Sequence, residues 1–273
     1  MSGSVLSGIN PDTPNVARMY DYYLGGRDNF ASDRAAAERM IALGRQMGND
    51  ARELARANRA FLGRAVHGLA ASGVRQFLDI GAGLPTRDNV HQVAKRHATG
   101  VRVAYVDNDP VVLNHARALL ARDSDVITVE GDVRDTDAIF DDLDITLHLD
   151  FTRPIAVLLV AILHFIPDDD EAAGIVARVK KRLRPGDHLV LSHVAAGNTT
   201  QRDAWEGQRV YSATTAGGIA HRGYADISKY FDGLELLSPG LVPVADWKQG
   251  VPLPPDTDFD RPGILAAVAR VPG

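Results

Sequence analysis

The residues of this chain whose types and spacing point to chemistry are three aspartates and two glycines. The stretch "FLDIGAGLPTRDN" (77–89) carries a short apolar run that ends in Asp79, followed by Gly81 and Gly83. A turn of this kind, between a strand and a helix, brings backbone N–H groups close to a ligand. A dinucleotide loop needs a third glycine where this chain has Thr86, and Pro85 just before it removes a backbone donor. The turn is therefore poorly made for a diphosphate. Asp107, in "YVDNDP", follows Gly83 at roughly the 20-residue interval at which a carboxylate takes two ribose hydroxyls. Asn108 beside it joins the candidate set. Asp132, in "VEGDVRD", either accepts from an adenine amino group, with the Val133 N–H alongside, or merely starts a turn. Asp109 before Pro110 reads as a helix cap.

A ligand with an adenosine, a cationic centre and an ammonium group, and no phosphate, meets this description. S-adenosylmethionine is such a ligand, and Asp79 suits its ammonium group. Methyl transfer from it is an in-line displacement that depends mainly on positioning the acceptor. A base is needed only if the acceptor must lose a proton. His164 and His193 are the candidates, because both stand near the ends of expected strands and histidine titrates near neutrality. His164 is the first choice and His193 the second, and either is also readable as a structural histidine, His193 the more so. The "DDDE" run (168–171) reads as the acidic first turn of a helix. No His/Asp/Glu cluster has metal-ligand spacing, so no metal is expected.

The elements that must position these residues alternate. Apolar strands are expected at 75–80, 101–106, 125–131, about 155–160 and 187–194, with helices between them. Two late strands, about 234–238 and 264–270, complete a mostly parallel, seven-stranded sheet covered by helices on both faces. Ligands of such sheets bind at the carboxyl ends of the strands, where the three aspartates lie. Residues 1–72 form a helical amino-terminal extension. Its first helix is expected to be capped by Thr13 with Pro14 at the first position, a second starts near Ser32, and a third runs to about Ala71. The remaining chain, 73–273, is one α/β domain with an inserted cap at about 195–232. Trp205, Tyr211 and Tyr224 of that insertion either line an apolar cavity or simply bury themselves in a helical cap.

Composition narrows the classes. The 273-residue chain is 45% hydrophobic, enough for a sizeable core, and has a net charge of −5. That charge argues against general nucleic-acid binding, although Arg202, Arg209 and Arg222 could form a local patch. With no cysteine there is neither a disulfide nor a thiolate nucleophile. The longest apolar stretch, 155–166, is too short to span a bilayer, and the first residues do not resemble a secretory signal. A cytoplasmic protein with no membrane partner is expected.

The run "FLDIGAG", "YVDNDP", "EGDVRD" and "LLVAILHFIPD" resembles the class I S-adenosylmethionine-dependent methyltransferases over roughly residues 75–200. The resemblance implies a Rossmann-like fold, S-adenosylmethionine as cofactor and S-adenosylhomocysteine as product. "LHFIPD" is similar to a segment found after strand four in many small-molecule methyltransferases. One departure is Pro85, which replaces the usual third motif glycine and stiffens the loop. The opening "NVARMYDYYLGGRDNFASDRAAAE" resembles the signature of a bacterial S-adenosyl methyltransferase family without generally established substrates. As a lid, this segment would bring Tyr20, Tyr23 and Gly26 to the cofactor. The alternative is an aromatic stripe packed on the sheet, with Gly25-Gly26 as a helix stop. The resulting expectation is methyl transfer to a small molecule. The rival is a non-enzymatic cofactor-binding sensor, in which both histidines would be buried and no cleft would adjoin the methyl. A nicotinamide dehydrogenase is disfavoured by Pro85 and Thr86.

Overall fold

The computed structural model describes residues 10–85, 88–120 and 123–273. Three helices come first: α1 (Val16–Tyr23), α2 (Ala31–Gln46) and α3 (Ala51–Ala71). Alternation follows with β1 (Gln76–Ile80), α4 (Val90–His97), β2 (Arg102–Asp107), α5 (Pro110–Leu120) and β3 (Val126–Glu130). Then come α6 (Thr136–Asp141), α7 (Leu143–His148), β4 (Ile155–Val160), a 3-10 turn (Leu163–Phe165), α8 (Asp169–Arg182) and β5 (His188–Ala195). The chain ends with α9 (Gln201–Ser212), α10 (Tyr224–Lys229), β6 (Glu235–Leu236), β7 (Val242–Pro243) and β8 (Gly263–Arg270).

The strands form one sheet in the order β3-β2-β1-β4-β5-β8-β6, with β7 paired to β8 off this path. β1 to β5 pair in parallel and β8 runs antiparallel to β5. The expected sheet is therefore present, with one short extra strand. The order reverses between β1 and β4, which opens a crevice at their carboxyl ends.

Strand alternation builds two cores. Phe77 of β1 packs with Phe61, Val66, Leu69 and Trp247 on one face, while Leu78 and Ile80 pack with Phe140, Ile145 and Ile175 on the other. Each fully buried side chain of this size contributes about 1.5–3 kcal/mol. The inner face of α3 thus belongs to the sheet's own core. A third cluster joins Met19, Tyr23, Ala37 and Ile41 from α1 and α2 to Tyr211 and Ile219 of the insertion. The amino-terminal helices and the insertion pack on each other.

Capping chemistry sets several boundaries. The expected Thr13 cap is displaced to Asn15, whose side chain accepts from the Arg18 N–H at 3.1 Å. The Pro14 carbonyl instead takes the Thr215 N–H at 3.0 Å, so Pro14 lies outside the helix. Asp168 caps α8, which has Asp169, Asp170 and Glu171 in its first turn and Lys180, Lys181 and Arg182 in its last. That arrangement complements the helix dipole, as the acidic run suggested. Among the described residues no helix is long and apolar enough to cross a membrane.

Candidate functional site

The sheet's carboxyl edge carries the predicted aspartates and the glycine turn, while Tyr20 and Tyr23 reach it from α1. Beyond β1, Gly81 and Gly83 have φ of +77° and +67°, the left-handed region that glycine enters freely. A side chain at Gly81 would also run into Ile162, 2.7 Å from an added Cβ. The N–H groups of Gly81 and Ala82 both donate to the Val106 carbonyl, at 2.8 and 3.2 Å, which ties the turn to β2. Gly83 N–H donates to Asp107 Oδ2 at 2.9 Å, and Asp109 N–H to Asp107 Oδ1 at 2.9 Å. Each carboxylate oxygen keeps a second lone-pair direction for a ligand. Asn108 donates to Asp132 Oδ2 at 3.3 Å and so links the ends of β2 and β3. Asp109 caps α5 through the Val111 N–H, as expected. Thr86, part of the sequence argument about the turn, lies outside the described residues.

Burial gives this edge its electrostatics. Asp79 is pushed up to about 7 by desolvation, which the Arg59 charge opposes and the Asp107 charge reinforces. Asp107 is also raised, mainly by burial and partly offset by the N–H groups it accepts from. Two crowded carboxyls with little water favour a bound cation, whose charge restores their ionised form.

One cavity of about 550 Å³ runs along this edge, within the ~300–1,000 Å³ typical of small-molecule sites. Every predicted site residue except Gly26 and His193 lines it. Gly26 stands behind the wall. Its missing side chain leaves room for Asp21, whose Oδ1 is 1.8 Å from where a Cβ would be. Asp21 accepts from the Asp28 N–H and from Asn29 Nδ2, at 2.9 and 2.8 Å, and itself borders the cavity.

His193 is fully buried, and its expected role as a base is corrected by its partners. Arg222 donates to its Nε2 at 2.8 Å, so that nitrogen carries no proton. The proton therefore sits on Nδ1, which donates to the Val194 carbonyl at 2.7 Å. With desolvation first and the Arg222 charge contributing, its pKa falls to about 3. His164 does border the cavity although it is 4% exposed. Desolvation, aided by His193, His221 and Arg222, holds it well below the ordinary imidazole value.

The structure also corrects the reading of the insertion's aromatic residues and removes the counter-argument of an arginine patch. Of its aromatic residues only Tyr211 lines the cavity; Trp205 and Tyr224 are exposed, with Trp205 beneath the Arg209 guanidinium and Tyr224 against Phe259. Arg222 is buried and belongs to no surface patch.

The roof of the cavity comes from distant segments. Asn15 donates to Asp109 and, at 3.0 Å, to Thr215 Oγ1. Arg18 and Asp33 form a buried ion pair at 2.7 Å, and Asp33 also accepts from the Asn15 and Phe30 N–H groups. The Tyr20 hydroxyl donates to the Ala55 carbonyl and accepts from Asn58, both at 3.0 Å. Asn58 Oδ1 in turn accepts from Ser192 at 2.7 Å, whose hydroxyl oxygen receives the Ala161 N–H. Ala161 borders the cavity with a φ of +58°, a strained value for a residue with a side chain. Sequence reasoning missed Asp21, Asn58, Ala161 and His221 as wall residues. Asp21 stood inside the quoted signature; the other three carry no spacing signal. Among the described residues no group of His, Asp and Glu could hold a metal ion.

A model of the S-adenosyl methyltransferase family matches residues 4–272. A presumed methyltransferase from Thermobifida fusca YX is 34% identical over 99% of this chain and 100% of its own, with a TM-score of 0.86. A DUF574 family protein from Streptomyces avermitilis MA-4680 is 38% identical over 96% of this chain and 100% of its own, with a TM-score of 0.84. The N-methyltransferase NodS from Bradyrhizobium japonicum WM9, solved with S-adenosyl-L-homocysteine, is 17% identical over 86% of this chain and 99% of its own. Its TM-score of 0.51 marks a likeness of fold. No curated protein matches the chain.

Proposed function

Because this chain belongs to the S-adenosyl methyltransferase family, with S-adenosylmethionine as cofactor, we propose that it methylates a small molecule held in the cavity beside that cofactor. The observation that carries this reading is the continuity of the cavity. It reaches from Gly83 and Asp107 at the β1–β2 edge to His164 and Tyr211 beyond β4.

The residues present fit the cofactor. Gly83 has nothing within 4 Å of an added Cβ, so the turn leaves space for a ligand. Asp107 takes the ribose hydroxyls, Asp79 the ammonium group, and Asp132 with the Val133 N–H the adenine edge. Tyr20 and Tyr23 present aromatic rings to a sulfonium. When bound, the cofactor supplies an electrophilic methyl group. The chain's own residues orient the acceptor, exclude water and, where the acceptor carries a proton, receive it at the neutral His164 ring. The non-enzymatic alternative required buried histidines and no cleft; His164 and His193 are buried, but a cleft adjoins His164.

The test is transfer of a labelled methyl from S-adenosylmethionine in the presence of a heat-inactivated whole-cell extract that is fractionated by size afterwards. Label is expected in a small-molecule fraction and absent from protein and nucleic acid. Label found only in macromolecules, or none transferred although the cofactor binds, contradicts the reading.

A further inference from the structure

Resting on that reading, we propose that the acceptor is an uncharged, mainly apolar molecule with neutral hydrogen-bonding groups, held on the β4–β5 side of the cavity. The strand order divides the wall by charge. Asp79, Asp107 and Asp132 stand at the ends of β1, β2 and β3, on one side of the crevice. Across it, among the described residues from Val160 to Ile264, no Lys, Arg, Asp or Glu lines the cavity. Phe165, Val194, Tyr211 and Ile219 form that wall, and Met40 and Tyr23 face it from the amino-terminal helices.

Charges nearby are already committed. Arg222 donates to Asp169, to His193 and to the carbonyls of Leu163, Ile166 and Asp168. Of the charged wall residues on the amino-terminal helices, Arg18 is spent on Asp33 and on the Thr13 carbonyl. Asp21 accepts from the Asp28 N–H and Asn29 Nδ2, and Arg59 donates to the Asp88 carbonyl and Asn89 Oδ1. His164 and His221 are both held below the ordinary imidazole value by burial, so both are neutral near pH 7. An ionised acceptor would lose its hydration here and gain no counter-charge from the surrounding wall.

Neutral polar groups have the opposite prospect. Tyr23 Oη, His164 Nδ1 and Thr199 Oγ1 are buried polar atoms of wall residues with no hydrogen-bond partner. The Tyr23 hydroxyl approaches that of Tyr211 without reaching hydrogen-bond geometry. A hydroxyl, carbonyl or ether on the acceptor supplies the missing partners, and a bare hydrocarbon does not.

Four probes on one ring system test this by calorimetry on the full chain saturated with S-adenosylhomocysteine: 2-naphthol, naphthalene, 2-naphthoate and 2-naphthylmethylammonium. The naphthol is expected to bind tightest, with both ions at least about tenfold weaker. Met40→Lys, which introduces a counter-charge, is expected to raise naphthoate affinity selectively. Naphthoate or the ammonium probe binding the wild-type protein as tightly as the naphthol, or no binding of the naphthol, overturns the proposal. The two readings fail distinguishably. Absence of S-adenosylhomocysteine binding sinks the cofactor reading and this one with it. Normal binding of that product with ion-preferring probes sinks this one alone.

Discussion

Asp79 is a buried carboxyl poised between its two states near neutral pH, and the ammonium group proposed for it would meet only one of them. With its pKa raised to about 7 by burial, it is protonated in weak acid, where it cannot receive an ammonium group. The sign follows from linkage: the folded state binds this proton more tightly than the unfolded chain. Asp79's contribution to stability is therefore fullest below its ordinary carboxylate range and is lost as pH rises toward about 7. Cofactor affinity runs the other way. It is expected to weaken about tenfold per pH unit below that value and to level off above it. Calorimetry of S-adenosylhomocysteine across pH checks this, and Asp79→Asn should flatten the profile. Asp107→Ala should weaken binding at least about tenfold, since charged hydrogen bonds contribute roughly 1.5–3 kcal/mol each. Wild-type affinity in that variant would remove Asp107 from the site. The place of the three aspartates at the carboxyl edge of the sheet was legible because strand ends and a glycine turn carry a local pattern. His193 was misread because the group that occupies its Nε2 comes from Arg222, which no local spacing announces.

At the scale of elements, α1 is the part whose role depends most on its neighbours. Asn15 ties its start to Asp109 and Thr215, while Tyr20 connects through Asn58 and Ser192 to the strained turn after β4. Ordering of the cofactor edge should therefore reach α1. Hydrogen exchange across Tyr20–Phe30 is expected to slow when S-adenosylhomocysteine is added. Equal protection with and without ligand would reduce the aromatic pair to packing. Helix existence was readable from apolar spacing, but the start of α1 was not. Thr13 has the chemistry of a cap, yet the tertiary bond at Pro14 moves the boundary to Asn15. The insertion shows a second limit. Trp205 and Tyr211 lie six residues apart on α9, about 240° around a helix, so both could not face inward. Their spacing held that information; which of the two faced the cavity awaited the partners on α1 and α2.

For the whole molecule, the alternation of strands and helices disclosed the sheet. The cavity arises only when residues from 10 to 264 converge, so its shape has no sequence signature. The same convergence bears on partners. Arg222 is buried, Arg209 stacks on Trp205 and Arg202 lies 3.5 Å from Glu206, so the three arginines that stood as the counter-argument form no common patch. Labelled RNA and DNA are expected to show no micromolar binding that weakens steeply with salt. The central claim, that the aspartate edge holds S-adenosylmethionine beside an acceptor pocket, is tested most directly by a crystal structure with S-adenosylhomocysteine. The account predicts ribose hydroxyls on Asp107, the amino group at Asp79, and the sulfur facing the side of the cavity that His164 borders. A nucleoside bound away from Asp107, or a sulfur turned from that pocket, would contradict it.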